Sequence, residues 1–296
     1  MNNNGFRIAH ISDLHIPPLP RISPGQLFSK RLLGLFSWHH KWKSEHQKKV
    51  LDALLDHLGE IQPDHICVTG DITFTTHPAE VDAAADWLAR LGDPQRVSLI
   101  PGNHDAYVPG ALDYALKRWS RWMQDDEGHA GFPFLHRRGP VDIVGLSSAV
   151  ATLPAISLGR IGRAQLERTE ALLARIRTDR RPCVLMVHHP PQDGAASPLR
   201  ALSDRKKLQQ MLLRCPVDLI LHGHLHYPVT ASLEGSSGPI PVLGAASAST
   251  IGKRKSVAHY HLIELETADD HLRLTVRHAH YDLAAGNFSL SGSQAL

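Results

Sequence analysis

Five short stretches gather Asp, Asn and His where apolar runs end: Asp13-Leu14-His15, Gly70-Asp71, Gly102-Asn103-His104-Asp105, His188-His189-Pro190-Pro191 and Gly223-His224-Leu225-His226. A strand that stops at Asp-x-His delivers two metal-binding side chains to one mouth of a sheet, because side chains two apart in an extended segment share a face. The same spacing recurs at His224 and His226. Asp71 is placed to offer one carboxylate oxygen to each of two cations, and Asn103 adds a neutral amide oxygen. Carboxylate, imidazole and amide together suit Mn, Fe or Zn better than Ca or Mg. Two such ions roughly 3.5–4 Å apart acidify a shared water, clamp phosphoryl oxygens and stabilise an in-line displacement. The chemistry this pattern points to is hydrolysis of a phosphate ester.

The elements that must carry these loops follow from hydrophobic period. Phe6–Ile11 is short, apolar and branched, which predicts a buried first strand. Asp64–Thr69, Arg96–Ile100, Pro140–Leu146, Pro182–Val187 and Asp218–Leu221 predict further strands. Helical patterns at Glu45–Leu58, Pro78–Leu91, Gly110–Met123, Arg163–Ile176 and Ser203–Leu213 are interleaved with them. The alternation implies an α/β chain with a mainly parallel sheet covered on both faces. In such sheets ligands sit beyond the carboxyl ends of the strands, where all five polar loops fall. Pro228–Leu233, Ile240–Gly244, Val257–Glu266 and Leu272–Tyr281 then predict strands with no helices between, with Thr267–Asp270 as a hairpin turn. A second, more antiparallel sheet beside the first is expected. No repeat or linker interrupts residues 1–296, which read as a single domain.

At 296 residues the chain can bury a sizeable core without disulfides. Its three cysteines form no C-x-x-C pair, which suits a reducing, cytoplasmic setting. A formal charge of +3 with no basic stripe argues against a nucleic-acid partner. No run reaches the roughly 18 apolar residues that span a bilayer, and the start lacks the basic-then-apolar order of a secretory signal. Residues 26–43 stand apart: Leu27, Phe28, Leu32, Leu35, Phe36, Trp38 and Trp42 alternate with Lys30, Arg31, Lys41 and Lys43. This mixture fits an ordinary surface helix, a lid beside the site, or a helix in peripheral contact with a membrane or lipid. Arg200, Arg205, Lys206 and Lys207 follow the His188 loop and could meet a phosphate or simply solvate a helix start.

Singly the motifs are weak; Gly-Asp at a strand end is more often a turn than a ligand. In this order they resemble the calcineurin-like metallophosphoesterase superfamily, whose pattern is D-x-H, G-D, G-N-H-[DE], H followed by G or H, and G-H-x-H. The resemblance covers residues 6 to about 228, with no motif position missing. It implies a four-layer αββα sandwich with mixed sheets and a two-metal centre at its edge. Asp13, His15 and His226 would hold the first metal and Asn103, His188 and His224 the second, with Asp71 bridging. His104 would contact the phosphate and protonate the leaving oxygen, with Asp105 orienting its imidazole. His222 is expected behind the ligands, and His189 as a substrate-side or loop residue. The Asp-Leu-His start and the His-His-Pro form look most like bacterial cyclic-nucleotide and glycerol phosphodiesterases. The 26–43 insert departs from compact members and would suit a lipid-linked phosphate or pyrophosphate. A non-catalytic scaffold of the same fold is the third reading, and the intact motif set argues against it.

Overall fold

β1 (Phe6–Ile11) sits at the join of parallel and antiparallel pairing in the first of two sheets. The computed structural model describes residues 5–17, 19, 30–253, 256–268 and 271–296. On one side β1 runs parallel to β2 (His65–Val68), which runs parallel to β3 (Val97–Leu99). On the other it is antiparallel to β10 (His259–Ala268), followed by β11 (His271–Asp282) and β12 (Asn287–Ala295). The second sheet contains β4 (Phe134–Arg138), β5 (Val141–Gly145), β6 (Cys183–Met186), β7 (Leu219–His222), β8 (Val229–Gly235) and β9 (Gly238–Gly244), in the order β4-β5-β6-β7-β9-β8. β2, β6 and β7 are buried along their whole length, as parallel strands covered on both faces must be.

One apolar cluster joins the sheets, with Ile8, Val68 and Ile263 of the first and Ile143, Met186 and Leu221 of the second. Helices cover the outer faces. α2 (Lys48–Ile61) turns Val50, Leu51, Leu54 and Leu58 inward at helical spacing and lies against β12. α3 (Pro78–Leu91) packs against α4 (Ala111–Trp119). On the far side α5 (Arg163–Ile176) and α6 (Arg205–Leu212) bury Leu173, Leu208 and Leu212 against Leu185 and Ile220 of the second sheet. The expected layering of helix, sheet, sheet and helix, with mixed sheets, is therefore present.

The expectation of a separate C-terminal sheet is corrected. β10, β11 and β12 extend the first sheet beyond β1, whereas β8 and β9 extend the second beyond β7. The strands read as one parallel sheet are likewise divided between the two. Two strands escaped the sequence reading: β4, and β12, whose burial is confined to Phe288 and a half-buried Leu290.

α1 (Lys30–Ser37) and the π-helical turn Trp38–Trp42 form the described part of the insert; residues 26–29 lie outside the described residues. No helix among the described residues is long and apolar enough to cross a membrane.

Candidate metal centre

The loops after β1, β2, β3, β6 and β7 converge, and their backbones are unusual. Asp13, His15, Asp71, His224 and His226 take left-handed conformations, with φ of 51°, 40°, 54°, 72° and 60°. They are five of nine such non-glycine residues in the described chain. Each costs roughly 1–3 kcal/mol and persists only where its surroundings hold it. Here main-chain bonds do so: the N–H groups of Asp13, His15 and Ile16 donate to the carbonyls of Gly70, Asp71 and Ile72 at 2.9, 3.0 and 2.9 Å. Asp13 and His15 thus converge as left-handed residues, not by the alternation of an extended segment that the sequence suggested. Close approach explains the glycines: a Cβ on Gly102 would strike the Asp71 carboxylate, and one on Gly223 would strike the Ser12 hydroxyl.

Two sets of donors result. In the first, His226 Nε2 is 3.1 Å from Asp13 Oδ1 and 3.4 Å from His15 Nε2. In the second, Asn103 Oδ1 lies 3.1 Å from His188 Nε2 and 2.8 Å from His224 Nδ1. Asp71 Oδ2 stands between them, 4.0 Å from His15 Nε2 and 3.3 Å from His188 Nε2. Its other oxygen accepts the His104 N–H at 2.7 Å. Only one Asp71 oxygen therefore faces both sets, which corrects the expected use of one oxygen for each cation.

Tautomers test whether these donors fit metal. His15 donates from Nδ1 to the Thr73 carbonyl at 3.0 Å, and His188 from Nδ1 to the Thr69 carbonyl at 2.6 Å. A neutral imidazole that donates from Nδ1 carries a lone pair at Nε2. Both Nε2 lone pairs then face the Asp71 carboxylate, an arrangement that needs positive charge between them. Without metal a proton supplies it: burial acts against charging His188, but Asp71 overrides this and pushes the imidazole up to about 9. Burial keeps His15 and His224 well below the ordinary histidine range. Asp13 Oδ1 is buried without a hydrogen-bond donor. A metal with bonds of about 2.0–2.2 Å brings its ligand atoms roughly 3.0–3.4 Å apart, close to the separations found. The residues fit a pair of transition-metal ions.

His104 is half-buried at the rim, and its Nδ1 donates to the Phe74 carbonyl at 2.7 Å. Asp105 does not orient it. The buried Asp105 carboxylate accepts instead from the N–H groups of Gly102, Ile72 and Thr73 and from the Thr73 hydroxyl. It clasps the Asp71 loop to the Asn103 loop. Burial, with Asp71 nearby, pushes it up to about 6 against those donors.

Sequence reasoning missed two supports. Glu80, in the first turn of α3 and reaching back to its N-cap His77, accepts from the N–H groups of Phe74, Thr75 and His77 and fixes the carbonyl that holds His104. His46 places a ring nitrogen within 4.8 Å of those of His15 and His226. Its Nδ1 meets Ser249 Oγ at 2.6 Å, and its Nε2 is buried without a partner. No strand or glycine precedes His46, so nothing local marks it.

Of the two places expected for His189 the structure has the loop: it lies buried in the bend after β6, with its nitrogens at Ser148 Oγ and the Ser157 carbonyl. His222 lies buried behind the site against the Gly223 carbonyl, as expected. Arg205 and Lys206 pair with Asp193, away from the donors, whereas Arg200 reaches the His224 carbonyl at 3.5 Å. The insert forms a wall. Trp42 stands 5.8 Å from His226 between ring centroids, Trp38 lies 5.1 Å from Phe74, and Phe74 lies 5.0 Å from His104.

The profile of the calcineurin-like phosphoesterase family matches residues 6–228. The chain belongs to that family. Membership of the calcineurin-like phosphoesterases, with the relatives below, makes it a metal-dependent phosphoester hydrolase. It is 29% identical over 247 residues to a "Probable cyclic nucleotide phosphodiesterase" of Rhodococcus erythropolis, a match covering 81% of this chain and 70% of that protein. A second protein of that description, from a Synechococcus species, is 28% identical over 178 residues, 59% of this chain and 62% of the relative. Among solved structures the fold resembles a dimetal phosphatase from Danio rerio, with a TM-score of 0.65 at 15% identity over 97% of this chain and 98% of that one. It also resembles a purple acid phosphatase from yellow lupin seeds, with a TM-score of 0.61 at 13% identity over 98% of this chain and 53% of that one.

Proposed function

We propose that the chain hydrolyses a phosphodiester of the cyclic-nucleotide type at a two-metal centre held by Asp13, His15, His226, Asn103, His188 and His224, with Asp71 shared. The observation that carries this reading is the single Asp71 oxygen between two imidazoles whose tautomers leave both lone pairs facing it. When bound, the ions would supply electrophilic contacts for the phosphoryl oxygens and acidify water. Asp71 holds the two ligand sets in register and, through Oδ1, fixes the backbone of His104. With Nδ1 donating to the Phe74 carbonyl, the His104 ring in its imidazolium form presents an Nε2 proton to the leaving oxygen. Arg200 adds positive charge beside the second set. Trp42, half-buried beside His226, offers a ring face on which a nucleobase could stack. Three free, buried cysteines agree with a reducing cytoplasm.

The test is hydrolysis by protein loaded separately with Mn, Fe or Zn of a panel of cyclic nucleotides, glycerophosphodiesters and nucleotide-linked lipids. Fastest turnover on the cyclic nucleotides supports the reading, and none on them refutes it. One observation favours a second reading, a lipid-linked phosphate or pyrophosphate at a membrane surface: α1, beside the site, exposes Leu32, Leu33 and Phe36. Flotation of the protein with anionic vesicles, lost on Phe36→Ser, would support it.

A further inference from the structure

β10 and β11 carry a histidine cluster that the catalytic reading leaves unused. Their register sets His261 opposite His278 and His259 opposite His280, and residues two apart share a face. The result is a two-by-two patch of imidazoles on one hairpin. One nitrogen from each of His259, His261 and His278 lies within 4.8 Å of the other two. His278 Nδ1 is 3.1 Å from His261 Nδ1 and 3.3 Å from His259 Nε2. His261 donates from Nε2 to the Gly244 carbonyl of the second sheet at 3.0 Å, so its Nδ1 directs a lone pair into the cluster. His259 and His261 are buried, while His278 is half-buried and gives a route from solvent. Burial pushes His261 down to about 3 and lowers His259 as well, leaving both rings neutral. The cluster contains no carboxylate.

We propose that His259, His261 and His278 form a third metal site, mononuclear and sharing no residue with the paired centre. Three imidazoles suit Zn, Co, Ni or Cu, not Ca or Mg. Water or His280, whose ring centroid is 4.9 Å from that of His259, completes the coordination. An ion there ties β10 to β11 and, through Gly244, braces the hairpin against the second sheet.

The competing occupant is a single proton on His278 shared between the other two rings, and cobalt separates the two. Full-length protein is stripped with a chelator and dialysed against Co²⁺ alone, as the unchanged chain, His278→Ala and His278→Cys. The expected result is one Co²⁺ fewer per chain in His278→Ala, with turnover of an aryl phosphodiester retained. His278→Cys should restore that ion and add a thiolate-to-cobalt charge-transfer band. Equal cobalt in the unchanged and alanine proteins, or no such band in the cysteine protein, overturns the proposal. The band reports ligation at position 278 directly, so it decides the matter even if loss of the ring loosens the strand. Turnover is read separately, so failure here leaves the paired centre untouched.

Discussion

Asp105→Asn separates a clasp between loops from a residue that steers His104. The carboxylate accepts from Gly102 N–H, Thr73 N–H and Thr73 Oγ, each at 2.9 Å, and from Ile72 N–H at 3.1 Å. Asparagine keeps the shape but accepts on one oxygen only. With that oxygen on Thr73, the new amide N–H₂ faces Gly102 N–H, donor against donor. The loss is a charge-assisted bond plus a buried unsatisfied donor, together about 3–5 kcal/mol. The assay is urea unfolding of metal-free protein, where the midpoint should fall by roughly 1–2 M. Metal affinity should fall too, because Asp71 and Asn103 lie on the loops that Asp105 joins. The pH profile of the residual turnover should keep its shape, since the Phe74 carbonyl still holds His104. Unchanged stability and metal content, with a displaced limb in that profile, would refute the reasoning and return Asp105 to the imidazole.

His104→Ala should retain both catalytic metals and lower kcat by about 10²–10⁴ on an alkyl leaving group, with much less loss on a nitrophenyl ester. Steady-state kinetics and metal counting on one sample check this. Gly102→Ala should stay folded by circular dichroism yet lose about 10² or more in kcat/KM, because its Cβ displaces the Asp71 carboxylate; Gly59→Ala, in open space on α2, is the control and should be neutral or stabilising. Acid should destabilise the metal-free fold. Burial pushes His65 and His261 down to about 3 and His136 to about 4. Below the ordinary histidine value near 6.5 the unfolded chain binds more protons than the folded one, so stability present above that pH is lost as pH falls. Each of the three contributes about 1.4 kcal/mol per pH unit between roughly 6 and 4. His188 is raised, so its contribution changes only above pH 6.5, whereas Asp105, raised to about 6, gains stability between about pH 6 and 4 and offsets about one of the three. Urea midpoints at pH 6.0 and 4.5 measure it, and equal midpoints would contradict it.

The centre was legible because its donors follow buried strands: a strand such as Leu219–His222 needs an apolar run, so the polar residues after it stand out. The sheet partners were not. β1 meets β10 across most of the chain, and nothing in Phe6–Ile11 encodes that its partner is His259–Ala268. β12 reads as polar because most of its side chains are exposed, and its strand identity comes from pairing with β11. The roles of Asp105 and Asp71 were set by which backbone N–H groups happened to face them, a matter of loop conformation that residue type does not fix.

The central claim is that one Asp71 oxygen is shared between two ions. Electron paramagnetic resonance of the Mn²⁺-loaded protein tests it most directly, because a bridged pair is exchange-coupled and separate ions are not. The account predicts a coupled multiline spectrum that collapses to single-ion signals, or to none, in Asp71→Ala. Uncoupled Mn²⁺ in the unchanged protein at full occupancy, or coupling that survives Asp71→Ala, would contradict it.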